Sequence, residues 1–326
     1  MELFTLALTY FAATAFFIFI LLFGESPFFK NTPVATLHWL VTSGLCNSFD
    51  WLVERVCGQR GVRAVEGAYS VCCDRPNPAL QIAYLVMVLG GFAMYWVHLL
   101  RLLPNPWVDE GHILSGSAAV LTSLALFVAA SASDPGTVTR HPAHLAAWGA
   151  LYPLDGALFP PKHCPTCDLP RPARSKHCRV CNRCVARHDH HCQWINNCVG
   201  FANLRLFLAF LVANLAMCLY GAVLAGLILG GEMQARGLLA VQLVNYRTGQ
   251  VLPLWRVPSK LLEWVVYYYP LGAALALFLL VAAALMATFL AYQLYLLAEG
   301  RTQYEVFKAR ELHHCLLERA EAAQVE

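Results

Sequence analysis

The sequence predicts an all-α polytopic membrane protein: four core transmembrane helices, an extra N-terminal span, and a small cysteine-rich domain between the core spans. Three observations predict it. Of 326 residues, 58% are hydrophobic and only 13% charged, about half the charged share of a soluble domain. The apolar residues gather into five runs, 3–23, 80–100, 113–133, 206–229 and 270–297, each nearly free of charge. Seven of the thirteen cysteines fall within 164–198.

Each run is about 20 residues or longer, enough to cross a hydrocarbon core of about 30 Å. Each is expected to be helical, because lipid offers a free backbone N–H or C=O no partner. Buried core helices of a soluble protein would show a polar stripe, and these runs mostly do not. A cleaved signal peptide is the competing reading of 3–23. Glu2 stands where a basic flank would be, and the Phe-rich run reaches Phe23 without a small-x-small site, which favours a retained anchor.

Charge orients the spans. Lys and Arg number five in 24–79, nine in 134–205 and four in 299–326, or eighteen of 23 on one side if all five runs cross. By the positive-inside rule that side is the cytosol. The expected organisation is an anchor over 1–24, a cytosolic segment over 25–79 and two spans within 80–133. The cysteine-rich domain follows over 134–204, then a span over 205–231, a lumenal loop over 232–266, a span over 267–298 and a cytosolic tail over 299–326.

Cytosolic thiols stay reduced, so the cysteine cluster is read as metal-binding or catalytic rather than disulfide-bonded. Its spacing is regular. Cys164-x2-Cys167-x9-His177-x6-Cys184 is one frame, and Cys178-x2-Cys181-x9-His191-x6-Cys198 is the same frame displaced by 14 residues. Each supplies three thiolates and one imidazole, a complete tetrahedral set for structural zinc. Two zincs would supply the folding free energy of a stretch too polar to bury a core. Iron–sulfur ligation suits two Cys3His sets less well. Cys46, Cys57, Cys72, Cys73, Cys218 and Cys315 show no ligand spacing and are read as structural, the cytosolic ones as candidates for lipidation.

A third frame beginning at Cys192 would need ligands at 195, 205 and 212, which hold Ile195, Arg205 and Val212. Cys192 therefore has no metal to hold, and neither has His190, since His191 is the ligand by spacing. Asp189, His190 and Cys192 can do chemistry: the imidazole takes the thiol proton and the carboxylate orients the imidazole. A zinc-finger docking module, with Asp189 and His190 only supporting the metals, is the alternative. A thiol oxidoreductase is disfavoured because the neighbouring thiols are committed to metal. His163 and His188 are expected to be solvated surface histidines.

Asp189-His190-His191-Cys192 resembles the signature of the DHHC family of protein palmitoyltransferases. The likeness runs from Cys164 to Cys198, into Asn203-x3-Phe207, and includes Asp134-Pro135-Gly136 after the preceding span. The CDLPRPARSKHC run is similar to an animal subgroup with an additional N-terminal hydrophobic segment. The resemblance implies that Cys192 attacks a long-chain acyl-CoA, often palmitoyl-CoA, and passes the acyl group to a cysteine of a membrane-associated protein substrate. It implies His190 as base, Asp189 as its orienting partner, the same eight zinc ligands, and an acyl-chain cavity among the membrane helices. It also implies an endoplasmic reticulum or Golgi membrane, with the active site cytosolic.

Basic residues crowd the domain: Arg171, Arg174, Lys176, Arg179, Arg183 and Arg187. Arg174, Lys176 and Arg179 are candidates for the acyl-CoA phosphates, and the anionic leaflet is the equal alternative. Nucleic acid is not an expected partner of a domain tethered to membrane on both sides. One departure stands out. The family commonly carries Thr-Thr-x-Glu after the last span, whereas Thr302-Gln303-Tyr304-Glu305 has Gln at the second position. If that motif braces Asp189, the bracing is expected to be altered and the activity weaker. Beyond it, Tyr304 and Phe307 are the candidates for contacts from the tail.

Overall fold

The computed structural model describes residues 31–70, 75, 77–244 and 249–325, with residues 16, 20, 24 and 29. The expected N-terminal span over 3–23 lies outside the described residues, as do Cys72 and Cys73. In chain order the helices and strands are α1 (Pro33–Trp39), α2 (Leu45–Tyr69), α3 (Ala79–His98), α4 (Gly111–Ala132), α5 (Pro142–Leu151), β1 (Lys162–Cys164), β2 (Leu169–Arg171), β3 (Lys176–Cys178), β4 (Arg183–Val185), β5 (His190–Cys192), β6 (Asn197–Val199), α6 (Leu204–Ala235), β7 (Gln242–Val244), β8 (Val251–Pro253), α7 (Pro258–Tyr268), α8 (Pro270–Ala298) and α9 (Gln303–Val325). They form two compact units. One holds α1, α2, the β7–β8 hairpin and α7; the other holds everything else and contains the cysteine-rich domain.

Among the described residues, four helices are long and apolar enough to cross a membrane: Ala79–Leu102, Gly111–Ala132, Leu204–Ala235 and Pro270–Ala298. No more than 33% of the most apolar stretch of any of them is buried within the protein. The remaining apolar surface needs lipid, so the chain is a multi-pass membrane protein. α6 is the central helix, packing against α4 and α8. It runs past the apolar stretch to Ala235, because Glu232 accepts hydrogen bonds from Arg236 Nε (2.8 Å) and Tyr269 OH (2.7 Å).

Polar side chains tie the spans together. Tyr84 OH donates to Asn214 Oδ1 at 3.0 Å and Tyr95 OH to the Gly221 carbonyl at 2.8 Å. His112 Nδ1 and Ser115 Oγ both hydrogen-bond Tyr220 OH, at 2.8 and 2.6 Å. In lipid such bonds complement close helix packing. Close approach also explains Gly230: a Cβ there would stand 2.1 Å from the Trp107 ring.

The cysteine-rich domain is three successive antiparallel hairpins, β1–β2, β3–β4 and β5–β6, and the 14-residue step of the sequence is their spacing. Cys164, Cys178 and Cys192 each end a first strand, opposite Leu169, Arg183 and Asn197. Asp168, Asn182 and Asn196 fill the same turn position with φ of +50, +50 and +47°. Asp and Asn tolerate that left-handed conformation better than other non-glycine residues.

The third hairpin is locked to the membrane spans. Asn197 is buried, and its Nδ2 donates to the Ala130 and Ser133 carbonyls at the end of α4 (3.1 and 2.8 Å). Asn203 accepts from Gly200 N–H (2.9 Å) and donates to the Cys198 carbonyl (2.9 Å), fixing the entry to α6. The Asp134-Pro135-Gly136 turn docks beside it: Gly136 accepts from Ala186 N–H at 2.9 Å with its own φ at +98°. Gly200 is required here, since a Cβ would lie 2.5 Å from the Pro135 oxygen.

Candidate active site and metal centres

Two quartets of donor atoms converge. Cys164, Cys167, His177 and Cys184 form one, and Cys178, Cys181, His191 and Cys198 the other; within each, the ligand atoms all lie within 4.8 Å of one another. The histidines face their thiols through Nδ1, at 3.3–3.8 Å for His177 and 3.4–3.7 Å for His191. A tetrahedral ion with bonds of about 2.0–2.3 Å produces donor separations of roughly 3.3–3.8 Å. The donor sets therefore fit zinc in both chemistry and spacing. In each frame the second cysteine's N–H points at the first cysteine's sulfur at 3.4 Å (Cys167 to Cys164, Cys181 to Cys178).

The third hairpin repeats this geometry without the metal set. Ile195 takes the place of the second cysteine and is fully buried in the apolar core. Cys192, half-buried, stays outside both quartets. Its partner is His190, whose Nδ1 hydrogen-bonds Asp189 Oδ2 at 2.7 Å, leaving Nε2 for the thiol. Phe207 and Phe289 stand edge-on to the imidazole at 5.3 and 6.4 Å, fixing its plane.

The electrostatics favour a charge-separated pair. Burial lowers the His190 pKa, but Asp189 and the Cys192 thiol together outweigh it and raise it to about 9. Burial pushes the Cys192 thiol up. The His190 hydrogen bond and charge, with the backbone amides of Ile195 and Trp194, pull it further down, so it ends below an ordinary thiol. The amide that points at a quartet sulfur in the first two hairpins here steadies one that lies outside both quartets.

Asp189 is itself held by α9. Gln303 N–H donates to Asp189 Oδ1 at 2.8 Å and Tyr304 N–H to the Asp189 carbonyl at 3.2 Å. These first-turn amides have no acceptor within the helix, and Thr302 and Glu305 satisfy the amides on either side of them by capping reciprocally. Thr302 N–H donates to Glu305 Oε2 (2.9 Å) and Glu305 N–H to Thr302 Oγ1 (3.2 Å), a capping box. The bracing of Asp189 by α9 thus comes from the backbone of Gln303, and the absent Thr side chain does not remove it. The Thr-x-x-Glu spacing was the signal in the sequence that could have revealed this.

The other predicted residues separate. Arg174 does not extend into solvent: its guanidinium forks onto Glu305, with Nη2 at 2.7 Å from Oε2 and 2.6 Å from the Gly300 carbonyl. Lys176 Nζ sits 4.9 Å over the Tyr304 ring, and Lys308 Nζ 4.2 Å over Phe159. Arg179 is exposed. His163 is exposed as expected, but His188 is not; it is 3% exposed, edge-on to Tyr304 at 5.9 Å. The reason is tertiary, because α9 covers it. Tyr304 makes its expected contacts, whereas Phe307 is 62% exposed.

Below Cys192 the spans line a half-open cavity of about 810 Å³. His190, Cys192, Trp194 and Gln303 line it at the domain; Tyr84, Val88, Phe210, Asn214 and Met286 line it further in, and Tyr95, Tyr220 and Leu224 lie deepest along α3 and α6. From Leu80 to Tyr95 α3 rises about 22 Å at 1.5 Å per residue. The lining is almost wholly apolar, so it suits a hydrocarbon chain.

Residues 158–310 match the family model of the DHHC palmitoyltransferase. Palmitoyltransferase SWF1 of Candida albicans is 36% identical over 222 residues, covering 67% of this chain and 58% of that protein. Palmitoyltransferase swf1 of Schizosaccharomyces pombe is 28% identical over 325 residues, covering 98% of this chain and 84% of the relative. Palmitoyltransferase ZDHHC4 of Bos taurus is 36% identical over 191 residues, or 58% of this chain and 54% of that protein. The chain thus spans a little over half the length of the Candida and bovine relatives. The interleaved Cys3His quartets, Cys192 outside both of them and the match over 158–310 agree: this part of the chain is similar to the DHHC palmitoyltransferase family.

Proposed function

We propose that the protein is a protein-cysteine S-acyltransferase that moves a long-chain acyl group, typically palmitoyl, from acyl-CoA to cysteines of membrane-associated proteins. The observation that carries this reading is the position of Cys192: paired with His190–Asp189 and opening onto an apolar cavity between the spans. The Cys192 thiolate attacks the thioester carbonyl. The carbon–sulfur bond to CoA breaks, and the CoA thiolate leaves with the proton held by His190. In the second step a substrate thiol gives its proton to His190 and attacks the Cys192 thioester, releasing Cys192 as thiolate. Burial of the chain contributes about 0.8 kcal/mol per CH2, which favours long chains over short ones. Zinc, when bound in both quartets, completes the hairpin folds that fix Cys192; His190 and Asp189 handle the protons.

Lys176 and Arg179 remain the candidates for the CoA phosphates. Lys308 joins them, since it stands beside Lys162 and Arg171 on the same face. Arg174 is committed to Glu305 instead. The basic majority of the domain supports a cytosolic active site, and the family resemblance an endoplasmic reticulum or Golgi membrane.

Purified full-length protein incubated with labelled palmitoyl-CoA should acquire hydroxylamine-sensitive label that is absent from Cys192→Ser. Equal labelling of both proteins, or none in a zinc-replete wild type, would sink this reading in favour of a membrane-anchored zinc scaffold.

A further inference from the structure

Two chain segments meet at Asp189, and Arg174 bonds to both. Its carbonyl accepts from His188 N–H at 3.1 Å, one residue before Asp189. Its guanidinium clamps Glu305 and the Gly300 carbonyl, which sets the first turn of α9 and thereby the Gln303 amide that donates to Asp189. The Arg174 backbone is itself fixed, with φ at +62°, and the guanidinium lies 5.1 Å over Tyr152, whose ring stacks on Trp148 of α5. Glu305 is 6% exposed, so its charge needs the partner it has.

We infer that Arg174 is a positioning residue of the acyl-transfer site. It acts through Glu305 and the α9 cap to hold Asp189, and through it His190, in line with Cys192; it is not a ligand of CoA. The inference rests on the acyl-transfer reading above. The two bonds from one guanidinium, to a carboxylate and to a carbonyl, need the planar fork of arginine, which the lysine ammonium lacks. Removing a group that orients a working side chain typically lowers activity about 10- to 100-fold without weakening substrate binding.

The test uses the full chain in nanodiscs with both zincs bound, comparing wild type with Arg174→Lys, Arg174→Ala, Glu305→Ala and the Arg174→Ala/Glu305→Ala pair. Two readouts are taken: kcat and KM for palmitoyl-CoA in Cys192 acylation, and the iodoacetamide alkylation rate of the Cys192 peptide. The expected result for Arg174→Ala is a kcat and alkylation rate lower by about tenfold or more, KM within about twofold, and two zincs retained. Arg174→Lys should lie between, and the double variant should lose no more than the worse single one.

A raised KM with unchanged kcat makes Arg174 a CoA-phosphate ligand and overturns the inference. Additive losses in the double variant overturn the pairing through Glu305. Loss of zinc in every Arg174 variant makes it a residue of folding and overturns it as well. If wild type takes no acyl group but Arg174→Ala still slows alkylation of Cys192, the acyl-transfer reading fails and the positioning role stands.

Discussion

The backbone amide of Gln303 lies 2.8 Å from Asp189 Oδ1. The first residue of α9 thus holds the carboxylate that orients His190, and it does so with an atom every residue but proline possesses. The Thr-to-Gln departure at this position leaves the bond in place.

Gln303→Pro isolates that amide. Proline is well accommodated at the first position of a helix, and it restrains Thr302 to the extended backbone a cap adopts. The variant should keep its zinc and its thermal stability while Cys192 acylation falls about tenfold, the worth of one hydrogen bond to a charged group. Gln303→Thr and Gln303→Ala should stay within about twofold. A Gln303→Pro enzyme at full rate would show that the amide does not matter.

The His190–Cys192 pair predicts the pH dependence of reactivity. His190 is raised from 6.5 to about 9 and Cys192 lies below an ordinary thiol. The thiolate–imidazolium pair therefore persists between those two values, and reactivity falls as pH drops through the lowered thiol value. In His190→Ala, burial acts on Cys192 without its counter-charge, so the thiol pKa rises. Alkylation of Cys192 at pH 7 should slow and its midpoint should move to higher pH. A midpoint that stays put would separate the two residues.

Metal content distinguishes Cys192 from its structural equivalents. Cys192→Ser should retain two zincs per chain by elemental analysis. Cys164→Ser and Cys178→Ser, which change the same position of the first and second hairpins, should each lose one and unfold at lower temperature. A zinc lost from Cys192→Ser would require a different assignment of ligands.

Asn197 predicts a stability effect from a residue that ties the third hairpin to the spans. Its amide donates to carbonyls at the end of α4 and its Oδ1 accepts from Arg183 Nη2 at 2.8 Å, and Asn197 itself is 2% exposed. Asn197→Ala removes these bonds, at a cost of about 1–3 kcal/mol. Thermal melts should show destabilisation, and acylation should fall because Cys192 lies directly opposite Asn197 in the hairpin. An unchanged melt would show that the docking of this hairpin does not depend on Asn197.

Cys192 shows where the sequence suffices. The repeat of Cys and His at a 14-residue step fixed the metal sets and left Cys192 over, because ligand count and spacing are local properties of the chain. The four apolar spans of the core were legible for the same kind of reason: lipid requires about 20 uncharged residues in a row. Tertiary structure decided what long-range partners decide. His188 is buried because α9 folds over it, Arg174 meets Glu305 131 residues away rather than solvent, and Gln303 reaches Asp189 across 114 residues. A residue's type states which bonds it can make, while only the fold states which partner is close enough to make them.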